Sequence, residues 1–221
     1  KRKAAGGKVI PFALMTMPQK YAHYDIYKIG YLDIETSGLK ANFDIMLSYA
    51  ILVRNTQTEK TEIRHGVINR KDVELAIKKG DADLIDKRIL EKLMEDMSDI
   101  DCLIGHWFIG KHRHDIPFIR TRCAINNVSG FPKNRMVRYG DTQAWGSKIH
   151  NLSSYSLATI GDAYNISTHK TQIKSKDWKL ACLGDKKALA YVLNHNIKDV
   201  IITYKVHKKI EEYVPMPAVY S

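Results

Sequence analysis

Residues 26–39, IYKIGYLDIETSGL, decide the fold of this chain. Residues 26–34 form an apolar run rich in β-branched and aromatic residues, which predicts a strand entering a hydrophobic core. Because side chains alternate along a strand, Asp33 and Glu35 point to the same face of the sheet. Two like charges packed together repel unless a cation lies between them, so the pair is a candidate metal site. The alternative is a pair of exposed acids at a strand end.

The segments that follow predict a mixed α/β fold. Residues 47–54 and 62–67 have the pattern of strands, with a hairpin turn at residues 55–61 between them. Residues 101–106, DCLIGH, are typical of a buried parallel strand, and residues 136–141 complete the set. Helical spacing and helix-start residues predict helices at residues 84–97, 116–126, 153–164, 186–194 and 197–213. Strands followed by alternating helices and strands predict a mixed sheet flanked by helices.

The chain of 221 residues is long enough for one sizeable core, and we expect a single domain. Residues 26–214 are predicted to form it. Residues 1–25 are predicted to be a basic tail and an arm lying on the domain, since residues 1–8 (KRKAAGGK) combine charge with glycine. Residues 215–221 are predicted to be a C-terminal tail. The first residue is not Met, which leaves room for a larger parent chain or for a replication or repair partner.

Composition argues against membrane-spanning and disulfide-rich proteins. No stretch approaches the ~20 apolar residues that a membrane-spanning helix needs, and no secretory signal is visible. The cysteines Cys102, Cys123 and Cys182 are too few and too far apart for a disulfide framework or a cysteine-rich zinc site. We therefore expect an intracellular protein, in the cytoplasm or the nucleoid, without a membrane partner.

The net charge of +11 at pH 7 indicates a polyanionic partner, above all nucleic acid. The basic residues cluster in two runs. The first, with Asp115 as its only acid, holds Lys111, Arg113, Arg120, Arg122, Lys133, Arg135 and Arg138. The second, opposed only by Asp177, holds Lys170, Lys174, Lys176 and Lys179. These runs form either a solvated face or two walls of a groove that follows a phosphate backbone.

Two further acidic motifs follow the first. H-D-I-P-F-I at residues 114–119 places Asp115 just before a proline, at or near a helix N-terminus, where a carboxylate is favoured. H-N-I-K-D-V at residues 195–200 places His195 and Asp199 four residues apart, on one face of a helix. Taken alone, Asp115 could be only a helix cap and His195 only a surface histidine.

Together with D-I-E-T-S-G-L, these motifs resemble those of the DEDD superfamily of 3′–5′ exonucleases. The resemblance covers roughly residues 26–212 and is nearest to the predicted RNase H-like exonucleases of archaea, bacteria and phages. It implies an α/β, RNase H-like mixed five-stranded sheet flanked by helices. It also implies metal-dependent hydrolysis of phosphodiester bonds in DNA or RNA, most simply at a single-stranded 3′ end.

The resemblance implies specific roles for residues of this chain. Two Mg²⁺ or Mn²⁺ ions, which prefer oxygen ligands, would be held by Asp33, Glu35, Asp115 and Asp199. His195 would complete the catalytic residues as the general base. The residues expected to contact the substrate are Thr36, Ser37, Gly38, Leu39, Phe43, Trp107, Arg120 and Arg122.

The chain departs from the family pattern at two motifs. Trp107 lies near a position where the family often has Asn, and His114 stands where a Phe usually precedes the aspartate. In the third motif His195 has the spacing of the branch that carries Tyr. These departures affect the placement of the substrate more than the binding of metal.

Three alternatives stay open from the sequence. An RNase H-like endonuclease would use the same fold and acids on branched or hybrid duplexes. A catalytically silent module would bind nucleic acid only, although all four acids are intact. A zinc site could form from His106, His112 and His114 with Asp115, because imidazoles suit zinc.

Overall fold

The structure, a computed structural model, describes residues 10–109, 113–132, 136–167 and 173–219. Its centre is a mixed sheet of six strands in the order β3-β2-β1-β4-β5-β6. The strands are β1 (Lys28–Thr36), β2 (Met46–Asn55), β3 (Thr61–Val67), β4 (Cys102–Gly105), β5 (Arg138–Asp141) and β6 (Ala218–Val219). The helices are α1 (Met17–His23), α2 (Arg70–Lys79), α3 (Lys87–Met97), α4 (Asp115–Ile125), α5 (Thr142–Ile149), α6 (Leu157–Ala163), α7 (Ser175–Cys182) and α8 (Lys186–Ile210). Short 3₁₀ helices occupy Phe12–Leu14 and Ala82–Ile85.

Strand β1 lies inside the sheet, antiparallel to β2 and parallel to β4. In the β1–β2 ladder Asp33 is opposite Ala50 and Glu35 is opposite Ser48, and the register shifts immediately after Glu35. Strands β4 and β5 also run parallel. The carboxyl ends of β1, β4 and β5 therefore meet at one edge of the sheet, where α/β proteins commonly bind their ligands.

Helices cover both faces of the sheet, so the core has two layers. On one face Leu32 of β1 packs in a cluster with residues of α3 and α4. On the other face Ile29 and Tyr31 pack in a cluster with residues of α5, α6 and the second half of α8. Asp33 and Glu35 continue the alternation of Ile29 and Tyr31, which directs both carboxylates to the face that α8 crosses.

Helix α8 is continuous from Lys186 to Ile210, and the prediction of two helices at residues 186–194 and 197–213 is wrong. Instead Asn196 is fully buried within the helix and faces β1. None of the helices in the described part of the chain combines the length and the hydrophobicity that a membrane crossing requires.

The sheet has six strands where five were predicted, because β6 forms within residues 215–221. β6 pairs antiparallel with β5 and covers an edge that would otherwise be open. The other end of the chain also contributes to the core: Tyr21 of α1 is buried, and its hydroxyl donates to Glu211 Oε2 at 3.1 Å. Helices α2, α5 and α7 were not predicted from the sequence.

Candidate active site

Strand β1 and helix α8 bring the first and third motifs together. Asn196 Nδ2 donates to Asp33 Oδ2 at 3.2 Å. One residue earlier on the helix, His195 Nε2 lies 3.7 Å from Glu35 Oε1 and 3.9 Å from Asp199 Oδ2. The spacing of four residues thus places His195 and Asp199 on one helix face, as predicted, and that face lies against the paired acids of β1.

Asp115, the acid of the second motif, is the first residue of α4. Its side chain is buried, and its Oδ2 accepts no hydrogen bond from any described residue. Burial raises the pKa of Asp115 well above its usual value, and the nearby charges of Asp33 and Asp141 raise it further. The influence of Asp33 on this pKa places Asp115 within electrostatic reach of the first motif. A buried acceptor in this position gains most from a cation or a proton.

The carboxylates of the three motifs have the chemistry of metal ligands. Within residues 10–109, 113–132, 136–167 and 173–219, no three His, Cys, Asp or Glu side chains are gathered tightly enough to enclose an ion as they stand. The donor set nevertheless fits a hard divalent cation, because its members are carboxylates. The buried Oδ2 of Asp115 and the repulsion between Asp115 and Asp33 point the same way.

A cavity of about 550 Å³ opens beside Glu35. One wall is the turn that follows β1, so that the predicted substrate residues Thr36, Ser37, Gly38 and Leu39 all line it. Trp178 and Lys179 of α7 also line it. The volume lies within the range of roughly 300–1,000 Å³ that small-ligand sites commonly have.

Asp44 holds the turn after β1 in shape. Its Oδ1 accepts from Ser37 Oγ at 3.1 Å and its Oδ2 from the backbone N–H of Lys40 at 2.9 Å. A Cβ on Gly38 would lie 2.5 Å from Asp44 Oδ1, so a larger residue there would displace the carboxylate that holds the turn. Leu39 is left 78% exposed and Phe43 86% exposed. A fixed turn therefore presents two apolar side chains to solvent beside the cavity.

Trp107 follows β4 in a strained conformation. Its φ is +60°, in the left-handed region that a non-glycine residue rarely adopts, and its side chain is 40% exposed. Asp141 fixes the residues that follow, because its Oδ2 accepts the backbone N–H groups of Phe108 at 2.7 Å and Ile109 at 2.9 Å. Phe108 is fully buried, so the chain turns sharply and leaves Trp107 outside.

The prediction that Arg122 contacts substrate is wrong. Its side chain is 1% exposed, and its Nε donates to Asp86 Oδ2 at 2.8 Å while Nη1 donates to Asp83 Oδ1 at 2.7 Å. Arg120 is half-buried, with its guanidinium 5.1 Å from the centre of the Phe131 ring. A contact between Arg120 and phosphate stays a prediction.

The zinc alternative involves three histidines with different surroundings. His106 Nδ1 lies 2.9 Å from Thr142 Oγ1, and His114 Nε2 lies 3.4 Å from Thr36 Oγ1. His112 lies outside the described residues, as do Lys111, Lys133, Arg135 and Lys170 of the basic runs.

Three contributors to the site were not predicted from the sequence. Asn196 orients Asp33. The feature of the sequence that could have identified it is a polar amide side chain in the middle of a helix. Asp141 shapes the turn at Trp107. The feature of the sequence that could have identified it is an acid at the end of a strand, directly before a helix. Trp178 lines the cavity beside Glu35, within a basic run that drew attention only for its charge.

Comparison with known proteins places this geometry in a family. Among curated protein sequences none matches this chain. The family B DNA polymerase from the archaeon Pyrobaculum calidifontis superposes with a TM-score of 0.59 at 13% identity, covering 84% of this chain and 24% of the polymerase. E. coli exonuclease I in complex with a dT13 oligonucleotide superposes with a TM-score of 0.53 at 13% identity, covering 83% of this chain and 41% of exonuclease I.

At such low identity these likenesses show a shared fold, and this chain spans about a quarter and two fifths of the respective proteins. The decisive match is to the sequence model of the RNase H superfamily, which covers residues 30–211 and includes all three acidic motifs. It agrees with the resemblance inferred from those motifs. The chain belongs to the RNase H superfamily.

Proposed function

We propose that this protein is a metal-dependent 3′–5′ exonuclease that hydrolyses phosphodiester bonds of DNA or RNA. The observation that carries the proposal is the arrangement of the three motifs in an RNase H superfamily fold: His195 lies 3.7 Å from Glu35 and 3.9 Å from Asp199, and the charge of Asp33 raises the pKa of the buried Asp115. The fold shared with exonuclease I, which was solved with a bound oligonucleotide, adds support for a nucleic-acid substrate.

Two Mg²⁺ or Mn²⁺ ions are the proposed cofactors. Asp33, Glu35, Asp115 and Asp199 would hold them. Bound ions of this kind lower the pKa of a water molecule and stabilise the charge on the leaving oxygen. Neutralisation of the carboxylates would also relieve the repulsion that raises the pKa of Asp115.

His195 is the proposed general base. Its Nε2 lies between Glu35 and Asp199, so it can accept a proton from a water that attacks beside those carboxylates. Histidine suits this step because its charge changes near neutral pH. Asn196 positions the site: its amide donates to Asp33 and fixes the direction of that carboxylate without adding charge.

The substrate is proposed to be a single strand that enters with its 3′ end. The cavity beside Glu35 would take the terminal nucleoside, with its base against Trp178 and Leu39. Aromatic and apolar side chains favour unpaired bases, whose faces are free to stack. The exposed Leu39, Phe43 and Trp107 are therefore placed to contact unpaired bases near the end of the strand.

The test compares linear and circular single strands, made of DNA and of RNA, with Mg²⁺, Mn²⁺ or EDTA. A linear strand labelled at its 5′ end should shorten from the other end, and a 3′ label should leave as a mononucleotide. The circle should persist. The Asp33→Asn protein controls for a contaminating nuclease. Cleavage of the circle would identify an endonuclease instead, and binding without hydrolysis would identify a silent module.

A further inference from the structure

Strand β3 forms one edge of the sheet, and its outer side pairs with no other strand in the described part of the chain. Residues 61–65, the first five of this strand, are exposed or half-buried. The side chain of Ile63 is 42% exposed. An open strand edge offers a row of backbone N–H and C=O groups to any chain that can pair with it.

The direction of these backbone groups follows from the ladder between β2 and β3. At one end of the ladder the N–H of Asn55 donates to the carbonyl of Lys60 at 2.9 Å, and at the other end the N–H of Ile68 donates to the carbonyl of Leu47 at 3.0 Å. Bonded and non-bonded pairs alternate in an antiparallel ladder, so the even-numbered residues of β3 direct their backbone groups to β2. The odd-numbered residues 61, 63 and 65 therefore direct theirs outward.

The sequence of this edge is complementary to a second copy of itself. When two copies pair antiparallel about a two-fold axis at Ile63, that residue lies opposite its own copy. Glu62 then lies opposite Arg64 of the second copy, and Thr61 lies opposite His65. Two pairs of opposite charge would thus lie on one face of the joined strands, and the two exposed isoleucine side chains would meet on the other face.

The neighbouring registers are less favourable. A shift of the axis by one residue would place either Glu62 or Arg64 opposite its own copy, and like charges directly opposite each other destabilise a strand pair. A shift by two residues would place residue 61 or residue 65 opposite a residue outside β3. The axis at Ile63 therefore pairs all of residues 61–65 without a contact between like charges.

We propose that this protein forms a symmetric dimer through the outer edge of β3, which joins the two six-stranded sheets into one. A two-fold interface of this kind uses the same surface on both subunits, as the self-complementary edge requires. The dimer is independent of the nuclease function proposed above, because β2 separates this edge from the acids of β1.

Sedimentation equilibrium of the full chain over a wide range of concentrations tests the association. The salt concentration is about 0.15 M, so that repulsion between two chains of net charge +11 is screened beyond about 8 Å. The wild type should show a monomer–dimer equilibrium. Ile63→Glu, which places two carboxylates opposite each other, should raise the dissociation constant about 10-fold or more. Ile77→Glu makes the same change at an isoleucine of α2 that is 72% exposed, and it should keep the wild-type constant.

Two cysteine variants test the register. Ile63→Cys places two thiols opposite each other in a hydrogen-bonded pair, whose Cα–Cα distance of about 5.5 Å lies within the range of disulfides. Mild oxidation should therefore link this variant into a covalent dimer. Thr61→Cys is the matched control on the same edge, because its two copies would lie about 13 Å apart along the strands. It should not be linked, and neither should the wild type.

Three results would overturn the dimer. The first is a wild-type chain that stays monomeric at every concentration, which would leave the edge to an extended segment of another protein. The second is a dimer that Ile63→Glu does not weaken. The third is equal linkage of Thr61→Cys and Ile63→Cys. Circular dichroism checks that each variant is folded, and if Ile63→Glu does not fold, the comparison of the two cysteine variants decides.

Discussion

Replacement of Arg122 by leucine should destabilise the protein by about 3–5 kcal/mol, the usual cost of breaking a buried ion pair by removing one partner. The guanidinium is 1% exposed and donates to both oxygens of Asp86, which is itself fully buried. Without Arg122, Asp86 would keep the donors from Met46 and Asn126, which carry no charge. The destabilisation therefore comes mainly from a carboxylate left without its counter-ion in the interior.

The expected change in melting temperature depends on the length of the chain. For a protein of this length each kcal/mol shifts Tm by roughly 2–4 °C, so Arg122→Leu should lower it by about 6–20 °C. The assay is urea and thermal unfolding followed by circular dichroism. The double variant Arg122→Leu/Asp86→Asn, which removes the stranded charge but keeps an acceptor for Met46, should recover a large part of the stability.

The pH dependence supplies an independent check. Burial raises the pKa of Asp86, and the charge of Arg122 opposes that shift. In Arg122→Leu the opposing charge is gone, so the pKa of folded Asp86 lies further above that of the unfolded chain than it does in the wild type. Stability is then greatest at low pH and falls as pH rises through the folded pKa, so the deficit should be larger at pH 7 than at pH 5. A destabilisation below about 1 kcal/mol at pH 7, the size expected of an exposed pair, would refute the reasoning.

Four further outcomes test the site and its surroundings. Asp33→Asn should abolish turnover while the protein stays folded. The increase in Tm that Mn²⁺ should produce in the wild type should be smaller in this variant, because a ligand that binds the folded state raises its stability. Full activity of Asp33→Asn would remove Asp33 from the proposed site. His195→Ala should lower kcat by about 10²–10⁴-fold with little change in substrate binding and should remove the acid limb of the pH profile, whereas His195→Tyr should retain part of the activity. The logarithm of KM should rise linearly with that of salt concentration, and Lys174→Gln/Lys176→Gln should reduce the slope by about 0.7 for each of the two lysines that binds a phosphate; an unchanged slope would leave these lysines as solvated surface. Burial lowers the pKa of His207 to about 3, whereas a histidine in the unfolded chain has a pKa of about 6.5. The free energy of unfolding should therefore lose the contribution of His207 as the pH falls below about 6.5. Urea unfolding at several pH values should show this loss in the wild type and not in His207→Gln.

The parts of the site that could be predicted are those governed by local periodicity. Alternation along β1 puts Asp33 and Glu35 on one face, and the helical repeat puts His195 beside Asp199, whatever the rest of the chain does. The central strands were predictable for the same reason, since β2 is buried along nearly its whole length and shows a continuous apolar run.

The predictions that were wrong concern residues whose contacts are with residues distant in sequence. Arg122 was predicted to contact the substrate because a helix position alone does not reveal the acids at residues 83 and 86. These acids precede it by more than 30 residues and bind its guanidinium. Strand β6 consists of two residues and exists only because β5 offers an edge. The prediction of a break in α8 was wrong because Asn196 stays within the helix and donates a hydrogen bond to Asp33 of β1.

Asp141 and Asp115 occupy similar places in the sequence pattern, and the structure gives them different surroundings. Both stand at the beginning of a helix, and the sequence offers the same explanation for each. The oxygens of Asp141 accept four backbone N–H groups, those of Phe108, Ile109, Gln143 and Ala144, so both oxygens have donors from the fold. Asp115 Oδ2 receives no hydrogen bond from the described residues, and its pKa is raised. Folding thus keeps Asp115 Oδ2 buried without a donor from the described residues, which is the environment that a divalent cation of the proposed function would compensate.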